Sequence, residues 1–99
     1  MQGRSIRYVR AKGGGVRIEG QDLGSAVESI MGEGIREYEW TWTIAKADVA
    51  AAIAVLGGKP GGDVIGLLRR WETSHRGQDP GQFLKDAGVR MDFWSRFGD

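Results

Sequence analysis

The chain has 99 residues, of which 40% are hydrophobic and 27% charged, and its formal net charge is +1. Its length fits one domain of about 100 residues, and its composition is that of a globular protein, which argues against a disordered or membrane-spanning chain. No apolar run approaches the roughly 18 residues of a transmembrane helix. The first residues do not resemble a secretory signal peptide. We therefore expect one cytoplasmic domain over residues 1–99 with no membrane association.

The absence of cysteine and the single histidine exclude several kinds of chemistry. Without cysteine the chain has no disulfide framework, no thiolate nucleophile and no cysteine-based zinc site. The one Gly-Gly-Lys, at residues 57–59, is followed by Pro60 and does not fit a Walker phosphate loop. We expect neither a metal nor a cofactor.

A β-hairpin followed by a short helix is predicted for the first third of the chain. Residues Ser5–Arg10 and Val16–Glu19 alternate in polarity around a glycine-rich turn, which is the pattern of two hairpin strands. A helix ending at Gly32, with Asp22 or Ser25 as its N-cap, is then predicted from four apolar residues at helical spacing: Leu23, Val27, Ile30 and Met31.

The clearest strand of the sequence is Ile35–Ile44. Its aromatic and β-branched residues alternate strictly, which favours a strand with one apolar face and one polar face. The apolar face carries Tyr38, Trp40, Trp42 and Ile44. The polar face carries Glu37, Glu39, Thr41 and Thr43.

Three helices and a last strand are predicted for the rest of the chain. The helices are Lys46–Leu56, one capped by Asp63, and one that opens at Asp79-Pro80 and stops at Gly88. Alternation over Val89–Phe97 predicts the final strand. The order ββαβαααβ predicts an α+β domain whose small sheet of about four strands, antiparallel or mixed, has helices packed on one face.

The aromatic residues are expected to form most of the core, because each one buries about 150–250 Å² when it is enclosed. The aromatic row of the long strand is expected to pack with Trp71, Phe83 and Phe93. Trp94 should point away from Phe93 and is the best candidate for an exposed tryptophan.

The charges are unevenly distributed. Residues 1–18 carry five basic and no acidic residues, whereas residues 19–39 carry six acidic residues and one basic residue. One interpretation is that opposite charges face each other across neighbouring strands. The alternative is a nucleic-acid surface on the first hairpin, formed by Arg7, Arg10, Lys12 and Arg17 around Tyr8. A dedicated nucleic-acid binder is usually strongly basic as a whole, and this chain is nearly neutral.

Catalysis by a pair of carboxylates is a further hypothesis. Glu37 and Glu39 share a strand face, so their Cα atoms should lie about 6.5–7 Å apart, a spacing that some hydrolases use. The same spacing occurs on any solvated or cross-strand-paired face, and no neighbour in sequence would raise one pKa. His75 is the other candidate base, but its surroundings resemble an exposed loop. An enzyme is therefore the least favoured class.

A distinctive pattern runs through residues 18–58 and 83–99, in the form IEGQDLG, EYEW-x-W and FWSR-x-GD. Residues 20–24, 37–42 and 93–99 carry most of it. It resembles a family of small actinobacterial proteins of unknown function. The resemblance implies an intracellular bacterial protein. Because that family has no assigned activity, no catalytic or binding residue follows from the likeness.

The sequence as a whole favours a small non-catalytic module that binds another protein, in the manner of an immunity protein, an antitoxin or a regulator. The expected contact surface combines Glu37 and Glu39 with Trp94 and Arg96, because exposed tryptophan and arginine are frequent in protein interfaces. The chain is expected to be a monomer or a homodimer. If Ile35–Ile44 lies at a sheet edge, it could pair with its symmetry mate.

Overall fold

A computed structural model describes residues 3–23 and 37–98 and shows an α+β fold. Four strands and three helices follow one another along these residues. They are β1 (Gly3–Arg10), β2 (Val16–Leu23), β3 (Glu37–Ile44), α1 (Lys46–Val55), α2 (Val64–Ser74), α3 (Pro80–Asp86) and β4 (Asp92–Gly98).

The strands form one antiparallel sheet in the order β1-β2-β3-β4. A tight turn around Gly13 and Gly14, both with positive φ, connects β1 to β2, as the glycine-rich segment predicted. In the register, Tyr8 lies opposite Ile18, and Ile18 lies opposite Trp42. The apolar residues of successive strands therefore share one face.

The core lies between this apolar face and the helices, so this face is called the helix face. The alanine-rich α1 and the amphipathic α2 each contribute a buried stripe. The buried residues of the sheet are Tyr8, Val16, Ile18, Trp40, Trp42 and Ile44. Those of the helices and the following loop are Ala52, Ile53, Val64, Ile65, Leu68, Leu84 and Val89. Helices on one face of the sheet confirm the predicted fold class.

Polar side chains also join the helices to the sheet. The indole Nε1 of Trp42 donates to Asp79 Oδ2 at 2.8 Å, while Asp79 Oδ1 accepts from the backbone N–H of Gly81 at 2.9 Å. Asp79 is thus the predicted N-cap of α3 and also an anchor for the sheet. The Tyr8 hydroxyl donates to Glu72 Oε1 at 2.6 Å. Burial and this hydrogen bond raise the pKa of Tyr8.

Opposite charges do face each other across the first hairpin, as one interpretation of the sequence predicted. Arg4 Nε lies 2.8 Å from Asp22 Oδ1, and Arg7 Nε lies 2.9 Å from Glu19 Oε1. Both pairs join residues that are direct partners in the β1–β2 ladder. The basic first segment is therefore neutralised largely by its neighbour in the sheet.

The predicted helix after the hairpin begins too early. Asp22 and Leu23 belong to β2, and Asp22 binds Arg4 instead of capping a helix. The rest of that predicted helix lies outside the described residues. The last strand begins at Asp92, three residues later than predicted.

The expected aromatic core is wrong for two residues. Phe83 and Phe93 are not core residues, because 36% and 49% of their surfaces remain exposed. The condition for pairing of the long strand with a symmetry mate is not met, because β3 lies between β2 and β4. Its backbone is paired on both sides and cannot pair with a symmetry mate. The two edges of the sheet are β1 and β4.

Candidate functional site: the open face of the sheet

The face of the sheet opposite the helix face is called the open face. The helices of the described residues pack on the other side, and no described helix covers the open face. The ladder places alternate residues of all four strands on it: Gly3, Ser5, Arg7, Val9, Arg17, Glu19, Gln21, Leu23, Glu37, Glu39, Thr41, Thr43, Asp92, Trp94, Arg96 and Gly98.

A broad depression of about 570 Å³ lies on this face. Trp94, which is 54% exposed, forms part of its wall. In the ladder Trp94 lies opposite Thr41, and Thr41 lies opposite Glu19. The other open-face residues that line the depression are Ser5, Arg7, Gln21 and Glu39. An exposed indole therefore stands beside a shallow polar floor.

An arginine on β4 binds two carboxylates on β3. Arg96 Nε donates to Glu39 Oε2 at 3.1 Å, and Arg96 Nη2 lies 3.6 Å from Glu37 Oε1. The hydrogen bond from Arg96 lowers the pKa of Glu39. Two carboxylates thus share one guanidinium, and this end of the open face keeps an excess of negative charge.

The arrangement is reversed on the first two strands, where two arginines share one carboxylate. Glu19 accepts from Arg7, and Arg17 Nε donates to Glu19 Oε2 at 3.2 Å. The hydrogen bond from Arg7 is the main cause of the lowered pKa of Glu19. The open face is consequently dipolar, with its positive end on β1 and β2.

The arginines oppose protonation of two of the open-face carboxylates. A general acid at neutral pH needs a carboxyl group whose pKa is raised, whereas Glu19 and Glu39 both have lowered pKa values. Carboxylates that remain ionised and are held by arginine are suited to orienting a polar or basic group of a partner.

The structure brings together the four residues of the predicted contact surface. Glu37, Glu39, Trp94 and Arg96 all lie on the open face, because β3 and β4 are neighbours in the sheet. Their proximity depends on the pairing of β3 with β4, which brings together Glu39 and Arg96, 57 positions apart in sequence. The sequence indicated the pair on β3 and the pair on β4 separately. No pattern in it showed that these two strands are neighbours.

The basic residues of the first hairpin do not form one surface. Arg7 and Arg17 lie on the open face and bind Glu19. Arg10 belongs to the alternate set of β1 residues, which faces the helices, and its Nη2 lies 3.7 Å from Asp63 Oδ1. Lys12 lies in the exposed turn. These four residues therefore do not present a continuous cationic strip to a phosphate backbone.

His75 lies away from the open face, at the end of α2. Its ring stacks on Trp71 with the centroids 4.2 Å apart, and its Nδ1 lies 2.8 Å from the Trp71 carbonyl oxygen. Among the described residues, no cluster of three or more histidine or acidic residues has a geometry that could hold a metal.

Sequence reasoning missed Ser5, Glu19, Gln21 and Thr41 as residues that line the depression. In the sequence these residues are recognisable only as the polar positions of alternating strands. Such positions occur on any solvated face of a sheet. Only the strand order makes these residues neighbours of Trp94.

The chain was compared with family models, curated proteins and solved structures, and none of them matches it. In the part of the chain that the structure describes, no helix is both long and apolar enough to span a bilayer.

Proposed function

We propose that this domain is a non-catalytic protein-binding module that engages its partner through the open face of the sheet. The observation that carries the proposal is the exposed Trp94 beside the 570 Å³ depression. Tryptophan and arginine dominate the energetics of protein interfaces when they lie in or beside pockets that lose their water on binding.

The charges of the open face support a protein partner because they are already oriented. Glu39 is held by Arg96, and Glu19 is held by Arg7 and Arg17. Side chains that are fixed before association lose less conformational entropy when the complex forms. Their dipolar arrangement would also orient an approaching partner and raise the rate of association.

The partner that fits this face presents an apolar side chain next to a lysine or arginine. The apolar side chain would pack on Trp94. The basic residue would approach Glu37 and Glu39, which share a single guanidinium. We infer a role of the immunity, antitoxin or regulator type, in the cytoplasm of an actinobacterium. The lack of cysteine and the sequence resemblance support that setting.

The test is quantitative capture of proteins from a nuclease-treated lysate of a GC-rich actinobacterium. The baits are the wild-type domain, Trp94→Ala, the double variant Glu37→Lys with Glu39→Lys, and Phe83→Ala. Phe83 is an exposed aromatic residue on α3, so Phe83→Ala is a matched control for loss of an aromatic ring.

We expect a protein that binds the wild type and Phe83→Ala but is lost from Trp94→Ala. With that protein purified, the double lysine variant should bind at least about tenfold more weakly and associate more slowly. Equal capture by Trp94→Ala and the wild type would overturn the proposal. Material captured from a parallel untreated lysate that is absent after nuclease treatment would instead support nucleic-acid binding through the first hairpin.

A further inference from the structure

The β4 strand forms one edge of the sheet, and its side chains are more aromatic and less charged than those of the other edge strand, β1. β4 has the sequence DFWSRFG and is almost entirely exposed. In the described part of the chain, no other strand pairs with its outer side. An edge strand presents a row of backbone N–H and C=O groups, and an apolar edge without protection is prone to pair with another strand.

The aromatic side chains of β4 extend beyond the helical layer. Phe93 and Phe97 lie on the helix face, where Phe97 stacks on Tyr38 and Phe93 contacts Trp42 at a tilt, yet they are 49% and 47% exposed. Trp94 projects from the opposite face. The described helices therefore do not fully cover the side chains of β4, and aromatic surface is exposed on both of its faces.

The other edge is protected by charge. β1 carries three arginines, Arg4, Arg7 and Arg10, each with an acidic partner, whereas β4 carries one aspartate and one arginine among its three aromatic residues. Charged side chains on an edge strand discourage further pairing. A strand from another chain would therefore add to β4 and not to β1.

We propose that β4 pairs antiparallel with β4 of a second copy of this chain, about a two-fold axis through Ser95. Side chains that face each other across a ladder must lie on the same face, so the allowed registers differ in steps of two residues. The register centred on Ser95 pairs all seven residues of the strand. It sets Asp92 opposite Gly98, Phe93 opposite Phe97, and Trp94 opposite Arg96 of the other copy.

The sequence of β4 is self-complementary in this register. On the helix face, each Phe93 meets Phe97 of the second copy, which gives two cross-strand aromatic pairs. On the open face, each Trp94 meets Arg96 of the second copy, and a guanidinium can stack on an indole while its N–H groups still bind a carboxylate. The result is a continuous eight-stranded sheet with both open faces on one side.

Ser95 provides a direct test because the chain has no cysteine. In the proposed dimer the two Ser95 side chains are opposite each other, with Cβ atoms about 4.5–5.5 Å apart. This separation is close enough for a disulfide after Ser95→Cys with only a small backbone adjustment. Ser5→Cys is the matched control, since Ser5 is an exposed serine on the β1 edge. Mild oxidation should convert Ser95→Cys to a covalent dimer well before Ser5→Cys.

The association of the wild-type chain is measured separately, by analytical ultracentrifugation at protein concentrations up to about 1 mM. At that concentration even a dimer with a Kd of about 1 mM is substantially formed. Ser95→Lys would place two like charges opposite each other on the axis, and should weaken the dimer about fivefold or more with an unchanged circular dichroism spectrum. A wild-type chain that remains monomeric would overturn the proposal. So would association in which Ser95→Cys cross-links no faster than Ser5→Cys, because the copies would then meet elsewhere.

Discussion

The two faces of the sheet arise from the same four strands but have different physical characters. On the helix face, Trp40 and Trp42 are buried and contact neighbours closely. On the open face, the arginine and glutamate side chains bind each other and leave Trp94 exposed to solvent. Successive side chains of a strand point to opposite faces. The same strands therefore contribute the buried core on the helix face and the proposed binding surface on the open face.

The largest change in stability is expected from adding one methyl group to α3, where that helix packs against the helix face. A Cβ atom at Gly81 would lie 2.0 Å from Cδ1 of the Trp42 ring. Gly81→Ala should therefore lower the free energy of unfolding by about 3 kcal/mol, as overpacking does in a tight core. Urea denaturation measures the change. Gly3→Ala is the control, because a Cβ atom there meets nothing within 4 Å. Equal stabilities of the two variants would show that Trp42 can move aside.

A smaller loss is expected when a polar anchor of the helix face is removed. Asp79→Ala deletes the acceptor of both the Trp42 indole and the Gly81 N–H. It should lower the free energy of unfolding by about 2 kcal/mol, measured in the same way.

Asp63→Ala is the matched control for that experiment. Asp63 holds the equivalent N-cap position of α2, but its side chain makes no capping hydrogen bond. Its contact with Arg10 is long and exposed, so we expect a change of less than about 0.5 kcal/mol. A loss at Asp63 as large as that at Asp79 would contradict the role given to the Asp79 carboxylate.

The smallest effect is expected on the open face, from the ion pair between Arg96 and Glu39. The pKa of Glu39 is lowered in the folded chain, so any stability from this pair is present above the unfolded pKa and is lost as the pH falls through the folded pKa. The pair is exposed, and the change in stability should be barely measurable.

The pKa itself is a sharper observable for this pair. A carboxyl NMR titration should place the pKa of Glu39 below its ordinary value in the wild type and return it upward in Arg96→Gln. Arg90→Gln, a change at an exposed arginine outside β4, should leave the titration of Glu39 unchanged. The same curve in all three proteins would mean that Arg96 does not hold Glu39 in solution.

Local patterns in the sequence predicted most of the secondary structure. The hairpin, the β3 strand, the three helices and the final strand are visible because their periods of about two and 3.6 residues show in short windows of sequence. The exposure of Trp94 was predicted for the same reason. Alternation assigns a side chain to one face of a strand wherever that strand lies.

The wrong predictions concern features that depend on parts of the chain far apart in sequence, which a short window of residues does not contain. Alternation placed Phe93 on the helix face correctly, but it could not show that the helices end before they cover β4. Likewise, the strong alternation in β3 gave no information on whether that strand lies at an edge or in the interior.

The sequence by itself therefore determined most of the strands and helices, and which face of each strand is apolar. Only the tertiary structure decided that β3 and β4 are neighbours, and hence that Glu37, Glu39, Trp94 and Arg96 share one surface. It also decided that one of the two edges of the sheet is the aromatic strand β4. The physical reason is that alternation and helical periodicity follow from the geometry of the local backbone. Strand order, by contrast, follows from the burial of the whole apolar surface at once.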